Sequence, residues 1–95
     1  MRFEWDEVKN KLNFLKHGVW FEEAKAVFFD RQYRFYFDAT NSVNEDRYLA
    51  VGMSSGLSVL MVSHTYRDES IRIISARNAN KKEKEFYNGR RIRLV

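Results

Sequence analysis

Residues Ser70 to Gly89 constrain the fold of this chain more than any other stretch. Ile71-Arg72-Ile73-Ile74-Ser75-Ala76-Arg77 is rich in β-branched residues, which pack well on a pleated surface and lose rotamer freedom in a helix. With no proline to stop it, the chain continues into Asn80-Lys81-Lys82-Glu83-Lys84-Glu85-Phe86-Tyr87. Asn80 and Glu83 stand at the capping-box spacing, in which each side chain satisfies the other's backbone amide at a helix start. A buried strand therefore runs straight into a short basic helix, and the residues upstream must cover it. The junction places Arg77 near helix amides, with Arg72 on the same strand, a setting in which a phosphate can be held without a metal.

Upstream, Met1 to Trp5 reads as a short edge strand. Asp6 reads as the N-cap of a helix through about His17, with Val8, Leu12 and Leu15 at spacings of four and three on one face. Gly18 closes this helix, and His17 suits the negative end of its dipole, which makes His17 structural rather than catalytic. A second helix, Phe21 to Phe29, buries Ala24, Val27 and Phe28 and leaves Glu22, Glu23 and Lys25 to water. From Arg31 the period changes to two, with Tyr33, Phe35 and Phe37 alternating with Arg34, Tyr36 and Asp38 in a half-buried strand. Ala39 to Glu45 is a loop. Asp46 to Ser54 and Leu57 to Tyr66 are strands joined at Ser55-Gly56, and Arg67 to Ser70 turns into the Ile71 strand. The expected fold is α+β in the order α-α-β-β-β-β-α: two N-terminal helices, a four-stranded, mainly antiparallel sheet and a C-terminal helix, in one domain over residues 1–95.

Eight Phe, five Tyr and two Trp in 95 residues supply large apolar groups for one modest core. The chain has no cysteine, so a disulfide framework and a thiolate metal site are excluded, and two histidines alone do not make a zinc site. No metal or other cofactor is expected. No apolar run is long enough to span a bilayer and no signal-peptide core opens the chain, so a cytoplasmic protein without membrane contact is expected. The net charge of +4 is uneven: residues 1–66 carry eight Lys/Arg against nine Asp/Glu, and residues 67–95 carry nine against four. A basic end on a small domain is the footprint of a polyanion-binding surface, although Lys81, Lys82 and Lys84 also fit a solvated helix face.

Turn arithmetic brings distant side chains together. A two-residue turn at Ser55-Gly56 sets Arg47 opposite His64, and a four-residue turn at Arg67 to Ser70 sets His64 opposite Ile73, Val62 opposite Ser75 and Leu60 opposite Arg77. On that register Arg47 and His64 share the polar end of one face, and a slip of one residue would separate them. Arg67, Arg72 and Arg77 are the leading phosphate-binding groups, because guanidinium forks match phosphate oxygens and keep their charge. His64 suits proton transfer, Ser75 a hydrogen bond to phosphate, and Arg47, Lys81 and Lys82 further substrate contacts. Tyr87 is placed to stack a base or, with Phe86, to pack the helix.

These residues also carry a resemblance. Phe3-Glu4-Trp5-Asp6-Glu7, Lys16-His17-Gly18-Val19 before Phe21-Glu22-Glu23-Ala24, Arg47 before Gly52, His64-Thr65 with Arg67, and Ile71 to Ala79 leading to Glu83 and Tyr87 occur in the order seen in BrnT toxins. Over nearly its whole length the chain resembles that bacterial family. The resemblance implies a RelE-like fold, metal-independent ribonuclease activity and RNA as substrate. It also implies neutralisation by a BrnA-type antitoxin with a ribbon-helix-helix DNA-binding domain, in a toxin-antitoxin hetero-oligomer. From the chemistry of the residues themselves, Arg67, Arg77 and His64 are the catalytic candidates, and Arg47, Arg72, Ser75, Lys81, Lys82 and Tyr87 the substrate-binding ones. The chain departs from the family pattern at Tyr66, where a carboxylate commonly precedes the arginine, at Asn80, which replaces a threonine cap, and at Trp20, which stands where a serine-type cap is usual. On the residues alone, a non-catalytic nucleic-acid-binding regulator using the same basic patch, or a protein-interaction module, stays open.

Overall fold

In the computed structural model, which describes residues 1–89, the chain runs β1 (Arg2–Glu4), α1 (Glu7–His17), α2 (Phe21–Ala24) with a 3₁₀ turn Lys25–Phe29, β2 (Arg34–Phe37), a 3₁₀ turn Ala39–Asn41, β3 (Tyr48–Met53), β4 (Val59–Arg67), β5 (Ser70–Asn78) and α3 (Lys81–Tyr87). The strands form one five-stranded sheet in the order β1-β5-β4-β3-β2. β2 to β5 are antiparallel neighbours, and β1 lies parallel to the start of β5, pairing Arg2 to Glu4 with Ser70 to Arg72. The sheet is thus five-stranded and mixed, and β1 precedes the helices, which corrects the expected four-stranded sheet behind two N-terminal helices. A parallel pair between distant segments has no connecting turn to announce it in the sequence.

One sheet face is dry. Ala50, Leu60, Val62, Ile71, Ile73 and Ala76 meet Val19, Phe21, Ala24, Val27 and Phe28 from α2 and its flanks in a single buried cluster. α3 lies on the other face, where Phe86 and Tyr87 pack near Val51, Met61 and Tyr36.

Two irregularities set which side chains share a face. The β3–β4 connection is longer than the expected two-residue turn: the Ser54 amide donates to the Ser58 carbonyl at 2.8 Å, and Ser54 Oγ accepts the Gly56 and Ser58 amides. Leu57 takes a φ of 62° there. Tyr48, not Arg47, consequently pairs with His64. In β5, His64 pairs with Ile73 but Ser63 pairs with Ser75, so Ile74 is the extra residue of a bulge. Val62 then faces Ala76, and Met61 faces Arg77, one residue away from the expected partners.

α1 is mounted the opposite way from an ordinary amphipathic helix. Its ends follow the sequence: Asp6 Oδ1 accepts the Val8 and Lys9 amides at 2.8 and 3.2 Å, and Gly18 closes it at φ 72°. The residues it buries, however, are Asn10 and Asn13. Asn13 pairs with both the amide and the carbonyl of Ala76 at 3.1 and 2.8 Å, so its carboxamide acts as a one-residue strand on the edge of β5 that β1 leaves open. Asn10 Oδ1 accepts the Phe21 amide at 2.7 Å and supplies the cap that Trp20 cannot give α2.

Candidate functional site

The site lies on the face opposite the dry core, the face that also carries α3. Because Ile71 and Ile73 point into the core, Arg72 and Ile74 point to the second face. The bulge then keeps Ser75 and Arg77 on that same face. Arg47, Leu49, Ser63, Ile74, Ser75 and Arg77 line one depression together with Thr40 and Asn41 of the 3₁₀ turn and Asp38 just before it.

Arg77 is held as a fork. Its Nη1 and Nη2 donate to the two Glu83 oxygens at 2.8 and 2.9 Å, and Nη1 also reaches the Asn78 carbonyl at 3.2 Å. Glu83 Oε1 accepts the Asn80 amide at 2.9 Å while Asn80 Oδ1 accepts the Glu83 amide at 2.8 Å, completing the capping box. One buried carboxylate therefore starts α3 and aims Arg77. Burial pushes the Glu83 carboxyl up, but the Arg77 and Asn80 hydrogen bonds outweigh it and leave it below the usual carboxylate range. The Glu83 hydrogen bond raises Arg77 above its usual value, so the fork stays charged.

Arg47 is fixed through its backbone, the amide donating to Ser42 Oγ at 2.9 Å and the carbonyl accepting from Asp38 at 2.8 Å. Its Nε is buried without a hydrogen-bond partner among the described residues, with Glu45 at 3.9 Å. The other oxygen of Glu45 stands 3.7 Å from Arg67 at the hairpin end. Arg72 faces Glu4 of β1 at 3.5 Å. Each of the four arginines thus has a carboxylate at hand, and only the Arg77 pair combines good geometry with burial of its acid. Exposed pairs at the other distances are weak and open to exchange for phosphate.

The structure brings Arg47, Ser75 and Arg77 together and separates the other candidates from them. Arg67 and Arg72 flank the depression rather than line it, and Lys81 and Lys82 are exposed on the first turn of α3. Tyr87 lies elsewhere: its hydroxyl donates to Asp30 Oδ2 at 2.6 Å, which pushes its pKa up to about 12, and it lines a separate recess with Arg31 and Arg34.

His64 is fully buried on the dry face, with the Phe28 ring edge-on at 4.8 Å and Tyr48 and Tyr66 beside it. Its Nδ1 lies 3.2 Å from the Val62 carbonyl, and Nε2 has no partner among the described residues. Burial lowers its pKa, the Val62 contact opposing only in part, so the ring is neutral at pH 7. The expected Arg47–His64 constellation is corrected by one residue of register, which puts the two on opposite faces.

Sequence patterns gave no notice of Asp38, Thr40, Asn41 and Ser63, which sit in a polar run and on a strand face defined only by the bulge. They also showed Glu83 as a cap without showing its bond to Arg77. Of the basic segment, Arg90, Arg91 and Arg93 lie outside the described residues, and residues 67–89 carry six Lys/Arg against four Asp/Glu. Among the described residues no group of three or more His, Cys, Asp or Glu is arranged to hold a metal ion, and no helix is long and apolar enough to cross a membrane.

Residues 5–83 match the family described as "Ribonuclease toxin, BrnT, of type II toxin-antitoxin system". The chain is also similar to the crystal structure of the Brucella abortus ribonuclease toxin, BrnT. The two share 29% identity at a TM-score of 0.66, over 85% of this chain and 99% of that one. No curated protein sequence matches it.

Proposed function

The chain belongs to the BrnT family of ribonuclease toxins of type II toxin-antitoxin systems, and from that membership we propose that it cleaves RNA internally by metal-independent transesterification at the second-face depression. In this reaction the ribose 2′-hydroxyl loses its proton and attacks the adjacent phosphorus. The bond to the 5′-oxygen breaks as that oxygen takes up a proton. The products are a 2′,3′-cyclic phosphate and a 5′-hydroxyl end. Negative charge builds on the non-bridging oxygens, and donors already in place stabilise it without reorganising.

The observation that carries this assignment is the meeting of Arg47, Ser75 and Arg77 in one depression, with Arg77 aimed by Glu83. Arg77 offers its charge and the N–H groups that Glu83 and Asn78 leave free, Arg47 the charge of a guanidinium whose Nε is buried, and Ser75 a hydroxyl on the same surface. Arg67, Arg72, Lys81 and Lys82 steer and hold the neighbouring phosphates. His64, sealed among aromatic rings on the other face, takes no part in proton transfer. Metal independence is supported by the donor set, which has no cysteine and no three-carboxylate or histidine cluster among the described residues.

The partner is an antitoxin of the BrnA type with a ribbon-helix-helix domain, bound as a hetero-oligomer in the cytoplasm. The type II class supports the antitoxin, and the BrnT motifs support its type. Purified protein incubated with RNA in EDTA should give 5′-hydroxyl and cyclic-phosphate ends. Activity lost to chelation and restored by a divalent ion would overturn the mechanism.

A further inference from the structure

We propose that the outward face of α1 is the seat of the antitoxin, gripping a segment with an apolar stripe flanked by Asp and Glu; this rests on the partner assigned above. Val8, Leu12 and Leu15 lie 68%, 58% and 74% exposed along one stripe of the helix. Trp20 extends it, stacked on Phe14 at 4.2 Å and 10°. Val8, Lys11, Leu12, Leu15 and Trp20 line a single groove with the carboxylates Glu7 and Glu22. A contiguous apolar surface of this kind marks an interaction site, whereas scattered single residues would not. Nothing among the described residues requires it, because α1 is held to the domain by Asn10 and Asn13 from its other side.

Charge names the occupant. At about 100° per residue, Lys9 and Lys16 border the stripe on one side with no acid of the helix beside them, and Lys11 borders it on the other, where Glu7 and Glu22 also line the groove; all three lysines are exposed. A second copy laid antiparallel, face to face, would set Lys9 and Lys16 against their own equivalents, whereas an acidic amphipathic segment would pair with the Lys9–Lys16 rim along its length and meet Lys11 across the groove. The position also suits inhibition. Asn13 grips Ala76, the residue before Arg77, so α1 sits at the strand edge beyond which the arginine depression opens. A segment anchored on α1 needs only to round that edge to cover Arg77, Lys81 and Lys82.

The test measures binding of a co-expressed, ribbon-helix-helix antitoxin of the BrnA type to the parent protein, to Leu12→Glu and Leu15→Glu, and to a triple Lys9→Glu, Lys11→Glu, Lys16→Glu variant. Melting curves run alongside, and light scattering is applied to each free protein. The leucine variants should melt with the parent and bind on the order of thirtyfold more weakly or worse, as loss of an anchor residue implies. The lysine variant should associate roughly tenfold more slowly at low salt, with its salt dependence flattened. Undiminished binding by the folded leucine variants would overturn the docking face and leave the partner assignment standing. No binding by the parent would overturn the partner assignment and the docking face with it. A parent that is a dimer when free, and a monomer as Leu12→Glu, would give the face to a second copy and overturn the proposal.

Discussion

The first and third helices attach to the same sheet by opposite means. α1 turns two asparagines inward and its aliphatic residues outward, while α3 turns Phe86 and Tyr87 inward and leaves Lys81, Lys82 and Lys84 in water. Directional hydrogen bonds therefore fix α1. Apolar burial fixes α3, with charged hydrogen bonds pinning both ends: Glu83 to Arg77 at its start and Tyr87 to Asp30 at its finish. An apolar stripe on a helix therefore reports where a hydrophobic neighbour belongs, and this neighbour need not be the helix's own domain.

The contrast is broken most sharply within α1. Asn13→Ala leaves the buried Ala76 amide and carbonyl and the Val19 carbonyl without their partner, and at about 1 kcal/mol or more for each it should cost roughly 3 kcal/mol in urea unfolding. Leu15→Ala, two positions further on, should stay within about 0.5 kcal/mol of the parent, as exposed positions do. Equal costs at the two positions would mean that α1 packs in the ordinary way. In α3, Phe86→Ala should cost about 2 kcal/mol, since Phe86 is only partly buried beside Val51 and Met61. Tyr87→Phe should cost about 1 to 2 kcal/mol, the worth of a hydrogen bond to a carboxylate.

These two helices also mark what could be read in the sequence and what could not. α3 was legible, because its capping box and strand-to-helix junction are local: Asn80 and Glu83 make the expected reciprocal bonds. The ends of α1 were legible for the same reason. Its orientation was not, because periodicity locates a stripe without saying which side the neighbour occupies. The candidate site depended on two single-residue events, the longer Ser54–Ser58 connection and the extra Ile74, and neither has a local signature. Each flips every later side chain, which is why Arg77 and Ser75 join Arg47 while His64, chosen for its imidazole, lies in the core.

The smallest expected effects are in pH dependence, and they sharpen the contrast between the two faces. His64 has a lowered pKa in the folded state, so folding favours its neutral form. The stability it lends is complete above the ordinary value of 6.5 and is lost as the pH falls below it. His64→Leu should flatten the decline in urea midpoint between pH 7 and pH 5. Glu83 on the second face is also lowered, but as a carboxylate. Its contribution is present above its ordinary 4.5 and lost only as the pH falls through the lower folded value. Glu83→Gln should therefore leave the pH 7 to 5 profile unchanged and weaken the decline below about pH 4.

The second-face depression stands or falls on the Arg77 fork. Arg77→Ala is the wrong probe, because it leaves the buried Glu83 carboxylate without its ion pair. Arg77→Lys keeps a charge beside Glu83 while giving up one of the two hydrogen bonds to it and the remaining N–H groups that face a phosphate. Single-turnover cleavage of RNA in EDTA, with urea unfolding of the same samples, compares the two proteins directly. The arginine predicts a rate at least tenfold lower for Arg77→Lys, about 1.4 kcal/mol or more of lost transition-state stabilisation, with stability lowered by about 1.5 to 3 kcal/mol, the worth of one hydrogen bond to a charged group, and the protein still folded under assay conditions. An unchanged rate in the folded variant would contradict it and place the chemistry elsewhere on the molecule.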